Sequence, residues 1–312
     1  MPVRVVCCTV SGAGDLGRLG MGVPLRPISD VEFIVGGAPG DLDHPEGVTW
    51  GPDGFAYAGG EAGQIYRIDV EARTYEQIAS LEGFVAGLCC DQDANIYACD
   101  IGAHKVMRIE AGGGAVSVLS TGTAEVPMVV PNFPCFHPSG DLYVSDSQTA
   151  GEFTGRIFRI TPSGETVMFS AASRYFTNGM CVDRNGEWLY VVETWLPGVS
   201  RIRIRDDGSA GERQVVTVLP DHMPDGVQFD EDDVLHITMY TPDRIYRMLP
   251  DGHLQLLVDD PTHETISSPT NIVFGGADRR LLLMACLGRW QINGLRVETP
   301  GIPLVYPAPI GG

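Results

Sequence analysis

Six short segments of the sequence share a pattern that could bring oxygen atoms together. Aligning the segments selects one position in each, occupied by Glu46, Ala86, Asn132, Asn178, Asp225 and Asn271. Two of these residues are carboxylates and three are carboxamides, so the set offers oxygen ligands and no imidazole or thiol. Hard divalent cations, Ca²⁺ above all, bind such oxygens, whereas Zn²⁺ favours His and Cys. If the six positions converge, they predict a site for a divalent metal, most suitably Ca²⁺, with Zn²⁺ or Mn²⁺ as alternatives.

The same pattern has an alternative interpretation in which no ion is bound. Asn, Asp and Gly favour bends, so they could recur wherever a strand begins. This would account for Asn178 and Asp225, each of which precedes a glycine. It does not account for Glu46, because Glu is a poor turn residue, or for the shared register of the segments. We therefore favour the ion-binding interpretation.

The elements that would position these residues are visible as an internal repeat. The aligned positions recur at spacings of 40, 46, 46, 47 and 46 residues. Each copy continues through a turn such as 138–140 into an apolar run such as 141–145, and then into an alternating run such as 156–160. Six units of ~40–50 residues with four strands each are typical of a propeller. We predict an all-β fold, a six-bladed β-propeller with four-stranded antiparallel blades over residues 31–312, preceded by an N-terminal arm of residues 1–30.

A propeller would turn the repeated position into a ring. The first strand of each blade runs along the central channel, so six residues at one repeat position surround the axis at one level. The last blade must also pair with one end of the chain to close the circle. Either residues 31–35 or residues 303–306 could supply that strand, and the sequence leaves both alternatives open.

Composition excludes several classes of partner. The 312 residues include 21 Lys and Arg against 40 Asp and Glu, a formal net charge of −19. A surface this negative repels nucleic acid and anionic lipid, so we expect neither as a partner. No apolar run approaches the ~18 residues of a membrane span, and the first residues do not resemble a secretory signal. We expect a cytoplasmic protein that acts on a small molecule; its oligomeric state is not predicted.

Several of these segments resemble a known family. The runs 44–50, 177–179, 223–226 and 271–276 are similar to segments of the gluconolactonase, regucalcin and luciferin-regenerating family. The resemblance extends over about residues 31–290. At a greater distance the sequence is similar to the calcium-dependent diisopropyl fluorophosphatases and paraoxonases, which are also six-bladed.

The resemblance implies roles for individual residues. It implies that Glu46, Asn178 and Asp225 coordinate the metal, and that Asn132 is a fourth ligand or a substrate contact. In that family the ion polarises a lactone or ester carbonyl, and the carboxylate that corresponds to Asp225 activates water or attacks directly. Asp225 and Asn132 are therefore catalytic candidates. A third candidate is His222, which could act as an acid or base from the loop before Asp225.

The sequence departs from the sugar-lactone members of the family in ways that favour an apolar substrate. Val130 and Phe133 stand where those members have Arg and Asp. The predicted substrate contacts are mostly apolar or aromatic: Phe133, Phe176, Trp195, Met223, Tyr240 and Asn271. We therefore expect a metal-dependent hydrolase that acts on a lactone or ester of a fairly hydrophobic small molecule. A non-hydrolytic lyase or isomerase using the same site, and a ligand-binding propeller with a structural ion, are the alternatives.

Overall fold

The computed structural model describes residues 22–38 and 40–311. Within these residues the chain forms 24 strands and two short 3-10 helices, Ile28–Asp30 and Leu287–Arg289. Neither of the two helices could cross a membrane, being far too short and not apolar enough. Residues 1–21, most of the predicted N-terminal arm, lie outside the described part of the chain.

The strands form six separate four-stranded antiparallel sheets, as predicted. Blade 1 contains β2 (Val48–Trp50), β3 (Ala56–Gly59), β4 (Gln64–Asp69) and β5 (Thr74–Ser80), and blade 2 contains β6 (Val85–Cys90), β7 (Ile96–Asp100), β8 (Lys105–Ile109) and β9 (Val116–Ser120). Blade 3 contains β10 (Pro131–Phe136), β11 (Leu142–Asp146), β12 (Arg156–Ile160) and β13 (Thr166–Ser170), and blade 4 contains β14 (Thr177–Val182), β15 (Trp188–Glu193), β16 (Gly198–Ile204) and β17 (Ala210–Val218). Blade 5 contains β18 (Met223–Phe229), β19 (Leu235–Thr241), β20 (Arg244–Met248) and β21 (Leu254–Asp259), and blade 6 contains β22 (Pro269–Gly275), β23 (Leu281–Cys286), β24 (Gln291–Arg296) and β1 (Val31–Gly36).

The circle is closed by the N-terminal strand. β1 pairs antiparallel with β24, with Val31 opposite Leu295 and Gly36 opposite Gln291. Of the two alternatives that the sequence leaves open, the structure therefore selects the first. Residues 303–306 form no strand.

Burial explains why the inner and outer strands differ in sequence. The inner strand β14 is buried at every position because neighbouring blades cover both of its faces, whereas the outer strand β5 has no buried residue. Glycines next to the ring positions allow the inner strands to approach closely. A Cβ atom on Gly47 would lie 2.3 Å from the carbonyl oxygen of Ala86, and one on Gly179 would lie 2.5 Å from that of Asp225.

The C-terminal segment, residues 297–311, crosses the end of the propeller opposite to the ring positions. It is held by hairpins from different blades: the Glu231 amide donates to Pro300 O at 2.8 Å, and the Gln92 amide donates to Pro307 O at 2.9 Å. The Gly311 amide donates to Pro162 O at 3.0 Å. Side chains of the segment also pack against the cores of several blades. The segment therefore connects blades that are far apart in the sequence and covers much of this end of the channel.

Candidate functional site

The six repeated positions meet at one end of the central channel. Five of them lie in the first residues of an inner strand, and Glu46 lies two residues before β2. Each inner strand contacts the inner strands of both neighbouring blades, so these strand starts form a closed ring. All six residues are buried. We call this set the polar ring: Glu46, Ala86, Asn132, Asn178, Asp225 and Asn271.

Three oxygens of the polar ring are buried without a hydrogen-bond partner: Asn132 Oδ1, Asn178 Oδ1 and Asp225 Oδ1. Among the described residues, only one other carboxamide or carboxylate oxygen is buried without a hydrogen-bond partner, and it belongs to Asn293. Leaving one such atom unsatisfied costs about 1–3 kcal/mol, so a cluster of three requires an explanation. Carboxylate and carboxamide oxygens are the ligands that a hard cation takes, and the donor set fits such an ion.

The two carboxylates of the ring are held in an environment that opposes their ionisation. Burial raises the pKa of Glu46 well above its ordinary value, and the nearby negative charge of Asp225 raises it further. Burial raises the pKa of Asp225 to about 7, although a hydrogen bond from the Asn178 side chain favours the ionised form. A divalent cation would compensate both charges, so the electrostatics of the metal-free ring also fit the predicted ion.

The remaining two members of the ring contribute differently. The Asn271 side chain donates from Nδ2 to the carbonyl oxygen of Glu46 at 3.2 Å, and Thr270 Oγ1 donates to the same oxygen at 2.6 Å. Asn271, predicted as a substrate contact, therefore also connects blade 6 to blade 1. Ala86 is fully buried and offers no polar side chain.

Both ring nitrogens of His222 are occupied by contacts within blade 5 and the loop before it. Nδ1 lies 2.8 Å from Pro220 O, and Nε2 lies 3.1 Å from the Tyr246 hydroxyl. The ring also packs edge-on against Tyr246, with centroids 5.4 Å apart. These contacts account for the position of His222 without a substrate, and its catalytic role stays a prediction.

The predicted substrate contacts fall into two groups. Phe176 and Trp195 lie on the loops that flank the start of β14, with ring centroids 5.8 Å apart, and Trp195 is 42% exposed. Met223 and Tyr240 are half-buried in blade 5. Phe176 and Trp195 thus form an aromatic pair close in the sequence to Asn178, and substrate contact by all four residues stays a prediction.

Phe133 lies further along the channel, in an apolar cavity of about 290 Å³. The cavity begins one or two residues beyond the polar ring on each inner strand and is bounded by residues 302–306 of the C-terminal segment. A Cβ atom on Gly87 would lie 2.5 Å from Phe133 Cδ2, so the phenyl ring occupies space that this glycine leaves. We call this the channel cavity. Four cysteines also line it, Cys89, Cys90, Cys135 and Cys181, and burial raises the pKa of each.

A second group of side chains could also approach a metal, at the loop before β2. His44 Nδ1 lies 2.9 Å from Asp43 Oδ1 and 2.9 Å from Glu61 Oε2. The ligand atoms of these three residues lie within 4.8 Å of one another. The contacts among them account for the arrangement without an ion, because one imidazole already bridges the two carboxylates.

Sequence reasoning missed a set of acidic residues that accept hydrogen bonds from the loops before the inner strands. Asp146 accepts from the Val130 amide at 2.8 Å, and Glu193 accepts from the Arg174 amide at 3.0 Å. Asp100 holds the corresponding loop before β6. Each of these carboxylates fixes the loop that leads to a ring position. A signal was available, since residues 100, 146 and 193 recur within one residue of the spacing of the ring positions 86, 132 and 178.

Comparison with known proteins agrees with the architecture. The sequence profile of the SMP-30/gluconolactonase/LRE-like region matches residues 114–287, more than half of the chain. A 6-deoxy-6-sulfogluconolactonase from Pseudomonas putida is 27% identical over 141 residues, which cover 40% of this chain and 47% of that protein. Alignments with the curated relatives span between 47% and 64% of those relatives' lengths.

Solved structures share the fold at low sequence identity. A gluconolactonase from Xanthomonas campestris has a TM-score of 0.71 and 19% identity, covering 83% of this chain and 87% of that one. The calcium-binding protein regucalcin from Agrobacterium tumefaciens has a TM-score of 0.73 and 16% identity, covering 91% and 99%. The profile match and the six-bladed architecture together show that the chain belongs to the SMP-30/gluconolactonase/LRE-like family.

Proposed function

We propose that the protein is a lactone hydrolase that uses a divalent cation held by the polar ring. The observation that supports this best is the cluster of three partnerless oxygens, one of them on Asp225, in a ring where burial opposes the ionisation of both Asp225 and Glu46. The lactonase names of several relatives support the same reaction class. Ca²⁺ suits the all-oxygen donor set. Regucalcin from Agrobacterium tumefaciens, which shares the fold, is named as a calcium-binding protein.

Glu46, Asn178 and Asp225 would hold the ion, with Asn132 as a fourth ligand or as a contact to the substrate. When bound, the ion would supply Lewis acidity toward the lactone carbonyl and would stabilise the negative charge that develops on its oxygen. The ring positions without a ligating side chain, above all Ala86, leave part of the circle open to the substrate.

Asp225 is the residue best suited to move a proton or to attack. Its Oδ1 is buried and unpaired in the ring, so it is available to the reaction. As a base, it would take a proton from water while the water oxygen bonds to the carbonyl carbon. As a nucleophile, it would bond to the carbonyl carbon and form a mixed anhydride that water then cleaves. In both routes the ring C–O bond of the lactone breaks, the departing oxygen takes up a proton, and the product is a hydroxy acid.

We further propose that the substrate is more hydrophobic than a sugar lactone. Phe176 and Trp195 flank the start of β14, and the exposed face of Trp195 is available for an apolar group. Val130, on the loop that leads to Asn132, offers no side-chain hydrogen bond, so a hydroxyl of a polyhydroxylated substrate buried beside it would lack a partner.

Chelation tests the function directly. The protein would be treated with chelator and assayed with and without added Ca²⁺, Zn²⁺ or Mn²⁺ on an alkyl-substituted lactone and on a sugar lactone. We expect activity to disappear and return with a divalent ion, with the higher kcat/KM on the alkyl-substituted lactone. Full activity in chelator would contradict the metal-dependent mechanism. Hydrolysis in H₂¹⁸O should place the label in the product, and an unlabelled product would favour a lyase.

A further inference from the structure

One buried hydroxyl connects two members of the polar ring. Thr194 follows β15 directly and is buried. Its Oγ1 donates to the carbonyl oxygen of Pro224 at 2.8 Å, and it lies 3.2 Å from Nδ2 of Asn178. Pro224 is the residue immediately before Asp225. Through a single side chain, blade 4 therefore contacts the Asn178 amide of its own inner strand and the backbone next to Asp225 in blade 5.

These contacts determine which way the Asn178 amide points. A carbonyl oxygen can only accept a hydrogen bond, so the single hydroxyl hydrogen of Thr194 is used by Pro224. Thr194 can then only accept from Asn178, which means that the amide nitrogen faces Thr194. With the nitrogen engaged in this way, Asn178 Oδ1 is the atom left without a partner.

We propose that Thr194 is a positioning residue that keeps the carboxamide oxygen of Asn178 available to the ion of the polar ring. Without the hydroxyl, Asn178 loses the acceptor on the blade 4 side that fixes its amide nitrogen there, so fewer hydrogen bonds hold the amide in this orientation. The amide could then rotate and present its nitrogen where an oxygen ligand is needed. This inference rests on the proposed function for the ion, but the orientation of the amide follows from hydrogen bonds within the chain alone.

Blade 3 contains a matched control. Ser147 occupies the repeat position equivalent to Thr194 and donates from Oγ to the carbonyl oxygen of Thr177 at 2.6 Å. Thr177 immediately precedes Asn178, so Ser147 supports the backbone of the same ring residue across the same kind of blade junction. The two hydroxyls differ in one respect that matters here: only Thr194 bonds to the Asn178 amide.

The test compares Thr194→Val, Thr194→Ser and Ser147→Ala by calorimetric titration of the chelated protein with Ca²⁺ and by thermal unfolding without metal. Supporting contacts around metal ligands change affinity by about 10–100-fold, and we expect Thr194→Val to weaken Ca²⁺ binding within that range. Thr194→Ser keeps the hydroxyl and should bind like the unsubstituted protein. Ser147→Ala should lower the melting temperature while leaving Ca²⁺ affinity unchanged. Equal loss of affinity in Thr194→Val and Ser147→Ala would overturn the inference, since it would indicate a general packing effect.

A second measurement does not depend on the ion. In the metal-free protein the Asn178 side-chain NH₂ signals should be protected from solvent exchange, and Thr194→Val should remove that protection while Ser147→Ala retains it. If the unsubstituted protein binds no divalent ion but shows this protection, the proposed function fails and the positioning by Thr194 stands. If the signals exchange equally fast in all variants, the positioning role is wrong whatever the ion does.

Discussion

The two ends of the central channel are built by the same six strands and have opposite chemistry. At the ring positions, five of the six residues are polar, and three of their oxygens lack partners. Two residues further along each strand, every blade has an apolar residue: Val48, Leu88, Pro134, Met180, Val227 and Val273. Each of these six lines the channel cavity. A shift of two residues, ~7 Å along a strand, thus separates a candidate reaction centre from an apolar core.

This difference indicates that the polar ring serves function, whereas the channel cavity end serves stability. The polar ring buries two carboxylates with raised pKa values and several unsatisfied oxygens, which lowers the stability of the metal-free protein. The cavity end buries apolar side chains and is covered by the C-terminal segment, which raises stability. Substitutions at the polar ring should therefore change activity, whereas substitutions at the cavity end should change the free energy of unfolding.

The largest effect is expected at Asp225. Replacing it by Asn keeps the size of the side chain but removes the negative charge and the basic oxygen. We expect Asp225→Asn to lower kcat/KM by about 10²–10⁴-fold, the usual contribution of a general acid or base. The metal-free variant should also unfold at higher urea concentration, because it no longer buries the Asp225 carboxylate, whose charge also opposes that of Glu46. A variant with full activity, or one that is less stable without metal, would contradict the proposed division.

The opposite end is tested by Leu88, which is buried beside the channel cavity. Its neighbour in the ring is Ala86, so Leu88→Ala removes core volume without altering a polar ring member. We expect a loss of about 2–5 kcal/mol in the free energy of unfolding, measured by urea denaturation. The kcat/KM of the folded variant and its Ca²⁺ affinity should stay unchanged. A large loss of activity in protein shown to be folded would mean that the two ends are coupled.

The six blades and the oxygen-rich ring could be predicted from sequence, because both follow from an internal repeat. The spacing of the ring positions predicts six blades, and the residue types predict an oxygen-rich site. The strand that closes the circle could not be predicted, since both termini contain an apolar run. In the structure, β1 forms the antiparallel ladder with β24, while Pro303 lacks the amide hydrogen that a paired strand uses.

The contacts that tie the ring together were also beyond sequence reasoning. Thr194 acts on Asn178 and Pro224, and the latter belongs to the next blade. Such bonds depend on how neighbouring blades pack, which local patterns do not encode. The path of the C-terminal segment is similar, because its partners are hairpins that lie far away in the chain. The acidic residues Asp100, Asp146 and Glu193 could have been found from their spacing.

A smaller effect is expected at Trp195, where a substitution tests whether the substrate is hydrophobic. Trp195→Ala removes an exposed ring that packs against Phe176 next to the start of β14. A lost apolar contact is worth about 1–3 kcal/mol, so the KM for an alkyl-substituted lactone should rise by about tenfold or more. The KM for a sugar lactone should change less. Phe33→Ala is the matched control, since Phe33 is similarly exposed, at 47%, on the closing strand β1. Equal changes for both lactones would contradict the hydrophobic substrate.

The smallest effect is expected where the C-terminal segment meets blade 1. The Tyr306 hydroxyl donates to the Trp50 carbonyl at 2.8 Å, and the ring lines the channel cavity. Tyr306→Phe removes this hydrogen bond and keeps the ring, so it should lower the free energy of unfolding by about 1 kcal/mol. Activity and Ca²⁺ affinity should not change, because the hydroxyl lies at the cavity end. This substitution barely alters packing. Even a modest fall in kcat would therefore show that contacts of the C-terminal segment at the cavity end affect the reaction at the polar ring.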